Sequence, residues 1–356
     1  MEPTALQTTW FVLITFLFIG YFVLEGFDFG VGMNSLVLGR GDAERRGEII
    51  ETVGPIWDGN QVWVIVGGAS IFAAFPEWYA SLFSGFYLAL LLLLLVLIAR
   101  VCAFKYRAKS ADRRWLRAWD TVHAIGGFAP ALLWGVAFAN IVRGVDIDAS
   151  KHVTTSLLGL LNPFGLLGGV VFVLLFWTHG SAYLAGKTEG SIRADANRMV
   201  GLLIWPTIVA GAAFLIWNQL ANARTGLTWI PLAIAALALL AVVVLHRAGS
   251  EVGTFLATSV AIMAAGVQMF GGLFPDVLPS RNAAANSLTV MNASSSAPTL
   301  TVMLIAVCVF MPIVLAYQIW AYWVFRARAG SDAETQQPRT LSERARAGYR
   351  AAFEQD

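Results

Sequence analysis

Nine stretches of this chain stay apolar for about the length of a membrane crossing, and no other property limits its fold as much. They cover residues 9–36, 53–75, 78–99, 122–142, 158–184, 199–217, 227–245, 252–274 and 300–325. A bilayer core of about 30 Å takes about 20 residues of helix to cross. Lipid cannot satisfy backbone N–H and C=O groups, so each crossing closes its own hydrogen bonds as a helix. Only 13% of the chain is charged and 58% is hydrophobic, against about 25% charged in a soluble domain. A soluble globular enzyme is therefore excluded. The expectation is an all-α integral membrane protein of nine transmembrane helices, with a single transmembrane domain over 1–325 and a charged cytoplasmic tail at 326–356. No strong internal repeat is present.

The basic residues orient this arrangement. All but four of the 24 Lys and Arg follow odd-numbered stretches or fall in the tail, the exceptions being Arg143, Lys151, Arg224 and Arg281. The positive-inside rule then puts the N-terminus outside and the C-terminus in the cytoplasm, as an odd number of crossings requires. With these boundaries no Lys or Arg lies inside a span, Arg100 standing just past the third, which argues against a voltage sensor. The opening "MEPTALQTTW" has no basic region, so the first stretch is expected to be a retained helix and not a signal peptide. A net charge of +2 gives no reason to expect a nucleic-acid partner. In the tail, "LSERARAGYRAAF" sets Leu341, Ala345, Tyr349 and Ala352 near one helical face. That pattern suits a segment lying on an anionic leaflet, and equally a solvated tail.

Carboxylates interrupt the apolar pattern. Asp58 lies early in "GPIWDGNQVWVIVGGASIFAAF", where an ionisable group costs roughly 2.5–3.5 kcal/mol at mid-helix. Glu51, Gly54, Asp58 and Gln61 are spaced to share one helical face, with about 10 Å of axis between Glu51 and Asp58. Glu25 and Asp28 share a face of the first stretch, in its cytoplasmic half. Intramembrane carboxylates avoid lipid and commonly mark proton or ion routes. Gly26, Gly30, Gly32, Gly54 and Gly59 would let helices or water approach them. The functional expectation is a proton-uptake path from the cytoplasm through Asp58, Glu25, Asp28, Gln61 and Glu51. The structural alternative has Asp58 accepting hydrogen bonds from the backbone near Pro55 and Gly59, holding an irregular turn.

Other candidate chemistry is sparse. His123 opens the fourth stretch and His179 closes the fifth, both near the inner face, so a bis-His haem is geometrically open and a pair of interfacial histidines is the simpler reading. Cys102 and Cys308 fall toward opposite faces, which argues against a disulfide, and no zinc-type spacing occurs. No catalytic triad, P-loop or dinucleotide fingerprint is present. Trp10, Trp78, Trp119, Tyr322 and Trp323 sit near span ends and read as interfacial anchors. Residues 275–298 read as an ordered or partly ordered outside loop.

Several segments together resemble subunit II of the cytochrome bd-type quinol oxidases. They are "EGFDFGVGM" with "GRGDAERR", "GPIWDGNQVWVIVGGASIFAAFPEWYA" with "FSGFYLAL", "ARVCAFKYRAK", "GVAFAN", "LLNPFGLLGG", "THGSAYLAGKTEG" and "SLTVMNASSSAPTL". The motif centred on Trp57, Asp58, Gly59 and Asn60 is the most specific, whereas residues 188–255 carry little of the likeness. The resemblance implies two four-helix bundles plus one peripheral helix in a bacterial cytoplasmic membrane. It implies a haem-bearing subunit I as partner, with haem b and haem d, or a b-type replacement, in that partner and none ligated here. Small single-helix accessory subunits, and a quinone held as a structural lipid, also belong to what the family allows.

The implied reaction of the complex is oxidation of quinol and reduction of O2 to water. Asp58 matches the family aspartate associated with proton delivery; Glu25 and Asp28 match the first motif, and Arg100 a third. Protons taken from the cytoplasm and released outside would separate charge without a pump. Two alternatives stand beside this reading: a purely structural haem-free subunit, and a proton-coupled membrane transporter. The transporter is disfavoured because its usual repeated halves have no counterpart here, the polar groups crowding into the first two stretches.

Overall fold

The computed structural model describes residues 2–329. The tail segment 341–353 lies outside the described residues. In chain order the helices are α1 (Ala5–Gly39), α2 (Ala43–Glu51), α3 (Trp57–Ala74), α4 (Pro76–Gly85), α5 (Tyr87–Tyr106), α6 (Arg113–Arg143), α7 (Pro163–Lys187), α8 (Gly190–Ala221), α9 (Trp229–Arg247), α10 (Glu251–Leu273) and α11 (Ala297–Val324). Among the described residues, eight helices, α1 and α5 to α11, are long and apolar enough to cross a membrane. α3 occupies the second apolar stretch, but its opening turns, Trp57 to Gln61, are too polar for it to join that set.

Two expected crossings are built differently from the sequence reading. The stretch 53–75 is not one helix with Glu51: α2 ends there, residues 52–56 turn, and α3 restarts at Trp57. Pro55 brings no N–H and pushes Gly54 away from helical geometry, so the continuous Glu51–Gly54–Asp58–Gln61 face does not form. The stretch 78–99 is also divided, α4 and α5 meeting at Phe86. α5 then runs on to Tyr106, which places Arg100 inside a helix and wholly buried. The expectation of no cation within a span is overturned at that residue. It failed because hydropathy falls at Arg100 while the helix continues.

The helices pack as two sets. α1, α3, α4–α5 and α6 form one, α7 to α10 the other, and α7 joins them by lying against α1 and α6. The α1–α7 crossing is close because both helices present glycine there. A Cβ on Gly30 would lie 2.1 Å from the Phe176 carbonyl oxygen, and one on Gly180 would meet the backbone of Gly30 at 2.5 Å. Aromatic side chains of α1, α6 and α7 fill the centre, Phe22 lying edge-on to Phe138 at 4.9 Å and to Phe172 at 5.1 Å.

Each end of the bundle is tied by polar contacts. At the end where α1 begins, Trp10 Nε1 donates to the Leu300 carbonyl at 3.0 Å and Gln7 to Ser294 at 2.9 Å. The segment between α10 and α11 is ordered there, with a hairpin of β1 (Asp276–Leu278) and β2 (Leu288–Thr289) bonded to the 145–153 loop. Trp10 and Trp78 are buried, so they are core residues and not the interfacial anchors expected. At the opposite end, Asp120 accepts from Arg46 and Arg107, each at 2.5 Å, and Arg45 pairs with Asp195 at 2.5 Å. Glu251 there gathers Arg193 and Arg328.

Candidate functional site: buried acids behind an outward aspartate

Three sequence-predicted acids fall on two sides of one helix. Glu25 and Asp28, one turn apart on α1, are fully buried. Arg100 reaches Glu25 Oε1 from α5 in an ion pair whose members are both shut off from solvent. Its guanidinium lies over the Phe29 ring at 5.0 Å and the Phe104 ring at 5.4 Å. Gly126 on α6 makes room for the arginine stem, since a Cβ there would sit 2.5 Å from Arg100 Cβ. Charge and stacking thus hold one guanidinium between three helices, a geometry suited to arginine.

Asp28 is served from α3. Asn60 Nδ2 donates to Asp28 Oδ2 at 3.0 Å and to the Leu24 carbonyl at 3.3 Å. Among the described residues, no N–H reaches the buried Asp28 Oδ1 or Glu25 Oε2 and no acceptor reaches Arg100 Nε or Nη2, while the Glu25 and Asp28 carboxyls lie within hydrogen-bonding reach of each other. Asp58 precedes Asn60 by two residues, and side chains so spaced point to nearly opposite sides of a helix. Asn60 is buried and Asp58 exposed. The Asp58 side chain forms no hydrogen bond or ion pair among the described residues, and α3 has no side-chain cap, so the expected bonding to backbone near Pro55 and Gly59 is absent. Glu51 is exposed at the end of α2, and Gln61 is partly buried, its Oε1 without a partner among the described residues. Trp57 stacks on Phe104 at 5.1 Å and fixes the start of α3 against α5.

Asp58 shares its face of α3 with apolar side chains. Val62, Ile65 and Phe72 are among the exposed hydrophobic residues of that helix. A carboxylate on such a stripe is not a lipid-facing arrangement.

Sequence reasoning missed two members of this site. Gln318 and Tyr322 of α11 both bond Asn60 Oδ1, at 3.0 and 2.7 Å. Their i, i+4 spacing was the available signal, while the interfacial reading of Tyr322 hid it. The histidines also lie deeper than expected, because α6 starts ten residues before His123 and α7 runs eight past His179. Both are buried. His179 uses Nδ1 with Thr258 at 2.6 Å and Nε2 with the Val23 carbonyl at 3.1 Å, leaving no nitrogen for haem iron. His123 lies against Phe104 at 4.6 Å with neither nitrogen bonded among the described residues.

The chain matches the family model for cytochrome bd terminal oxidase subunit II over residues 6–325. It is 38% identical over 328 residues to the cytochrome bd ubiquinol oxidase subunit 2 of Bacillus subtilis (strain 168), an alignment covering 91% of this chain and 97% of that one. It is 37% identical over 366 residues to the cytochrome bd-I ubiquinol oxidase subunit 2 of Escherichia coli (strain K12), covering 91% and 95%. A chain of the bd oxidase structure from Geobacillus thermodenitrificans superposes with a TM-score of 0.73 at 14% identity, over 90% of this chain and 99% of that one. The last likeness bears on the fold alone. Sequence motif, buried acid cluster and family match converge: this chain belongs to the cytochrome bd terminal oxidase subunit II family.

Proposed function

We propose that this chain is the haem-free subunit of a bacterial membrane complex that oxidises quinol and reduces O2 to water, and that Asp58 passes protons from the cytoplasm to the partner. The observation that carries this is the placement of Asp58: an exposed carboxylate, without a partner among the described residues, on a face of α3 that also exposes Val62, Ile65 and Phe72. Lipid does not cover such a face. A polar partner does, and the haem-bearing subunit I is the partner that the family implies. Its haems supply the electron transfer from quinol to O2. This chain's part is to brace that subunit and to hold and release protons at Asp58 Oδ atoms near the end where α3 begins. Asp28 and Glu25, behind α3, form a second proton-handling site, reached from Glu51 and Gln61 at the same end.

The same reading includes nine crossings in two four-helix bundles, with α3 as the second crossing and α11 peripheral, within one transmembrane domain over 1–325. The N-terminus is outside and the tail from 326 in the cytoplasm of a bacterial inner membrane. A small apolar cavity lies between α1, α3, α4, α5 and α6. Phe18, Phe86, Trp134 and Phe138 line it and the surface it presents is apolar throughout, so it gives the structural quinone that the family allows no hydrogen-bond donor.

The test is Asp58→Asn in the intact complex. Quinol-driven O2 consumption should drop by about a hundredfold, the low end of what one positioned proton-transfer group contributes, with haem content per complex unchanged. Normal turnover would remove the proton role, and loss of assembly would favour the purely structural subunit.

A further inference from the structure

α11 is the least embedded of the described helices, Leu300 being its one buried residue. Yet Gln318 and Tyr322, one turn apart, reach from it to a single atom inside the protein. Gln318 Nε2 and the Tyr322 hydroxyl meet Asn60 Oδ1 at 3.0 and 2.7 Å. A Cβ on Gly59 would lie 3.1 Å from Gln318 Oε1, so α11 is seated directly on the start of α3.

An asparagine amide can be turned over without changing shape, but only one orientation works here. The Leu24 carbonyl accepts and never donates, so the amide nitrogen must face α1 and the oxygen must face α11. The oxygen takes only donors, and α11 supplies two. The direction of the chain is thereby fixed, from Tyr322 O–H to Asn60 and from Asn60 N–H to Asp28 Oδ2. A carboxyl oxygen that accepts an N–H bond is a poor seat for a proton. The other oxygen, Oδ1, is buried and receives no N–H among the described residues; the Glu25 carboxyl is the group that stands within hydrogen-bonding reach of Asp28.

We propose that Gln318 and Tyr322 are positioning residues, locking Asn60 as a donor and so confining proton exchange at Asp28 to Oδ1. The step is proton transfer alone. An O–H bond forms at Oδ1 as one O–H bond of a hydrated proton on the uptake side breaks and leaves water, and the new bond breaks in turn when the proton moves on; no electrons move. This inference rests on the reading of Asp28 as a proton-handling group.

The experiment is a double-mutant cycle in the complex with subunit I, with turnover counted per assembled haem in H2O and D2O. Tyr322→Phe with Gln318→Leu should slow turnover by about threefold to tenfold, the size of one net hydrogen bond, and raise the solvent isotope effect. Adding the pair to Asp28→Asn should then cost nothing more than Asp28→Asn alone. An additive loss, or an unchanged rate and isotope effect in the α11 variants with Asp28→Asn slow, would overturn the positioning role. Normal turnover in Asp28→Asn would instead overturn the reading beneath it. Because Tyr322→Phe keeps the ring, it alone carries the cycle if Gln318→Leu lowers assembly.

Discussion

Arg100 and Glu25 form a pair that neither residue could survive without. Both are fully buried, and removing one partner of a buried pair costs roughly 3–5 kcal/mol because it strands the other charge. Arg100→Leu should therefore lower the melting temperature and yield of the purified complex sharply. Adding Glu25→Gln to that variant removes the stranded charge and should recover part of the loss. A single variant as stable as the parent would mean that the pair is not what holds α5 to α1. Asp58 is the opposite case: an exposed group with no hydrogen bond or ion pair among the described residues, so its loss should register in turnover and not in melting.

At the scale of helices, α1 and α7 meet through Gly30 and Gly180. Gly30→Ala puts a Cβ 2.1 Å from a backbone oxygen, which a helix can relieve only by moving away. Overpacking costs about 1–3 kcal/mol, and thermal melting should fall accordingly. Gly68→Ala, with open space around it, should leave melting unchanged. The helices themselves were legible, because a crossing writes itself into about twenty consecutive residues. Their breaks were partly so: Pro55 marked one, while the other, at Phe86, carries only Gly85 as its signal. What the sequence could not carry was pairing. Glu25 and Arg100 are 75 residues apart, and Asn60 and Tyr322 are 262 apart. No local period encodes such contacts, so Arg100 passed for a loop cation and Tyr322 for an anchor. Asp58 was found, but its outward direction follows from the break at Pro55 and not from the stripe drawn through it.

For the whole molecule, orientation is the open quantity that charge placement predicts. Ser150 and Ala111 are exposed in loops at opposite ends of α6. With Cys102 and Cys308 replaced by alanine, Ser150→Cys should react with an impermeant maleimide from outside intact cells. Ala111→Cys should react only after the membrane is opened. The reverse pattern would invert the chain and take Asp58 from the cytoplasmic side.

The first helix and the last are joined at both ends of the bundle. Trp10 bonds the Leu300 carbonyl near one end; toward the other, Tyr322 and Gln318 bond the Asn60 that serves Asp28. A chain inserted from its N-terminus has α1 in the bilayer long before α11 is made. Until then an indole N–H lacks its acceptor and an amide oxygen both its donors, in surroundings where such groups find few substitutes. The half-made subunit therefore differs chemically from the finished one, and completing translation also completes its hydrogen bonding.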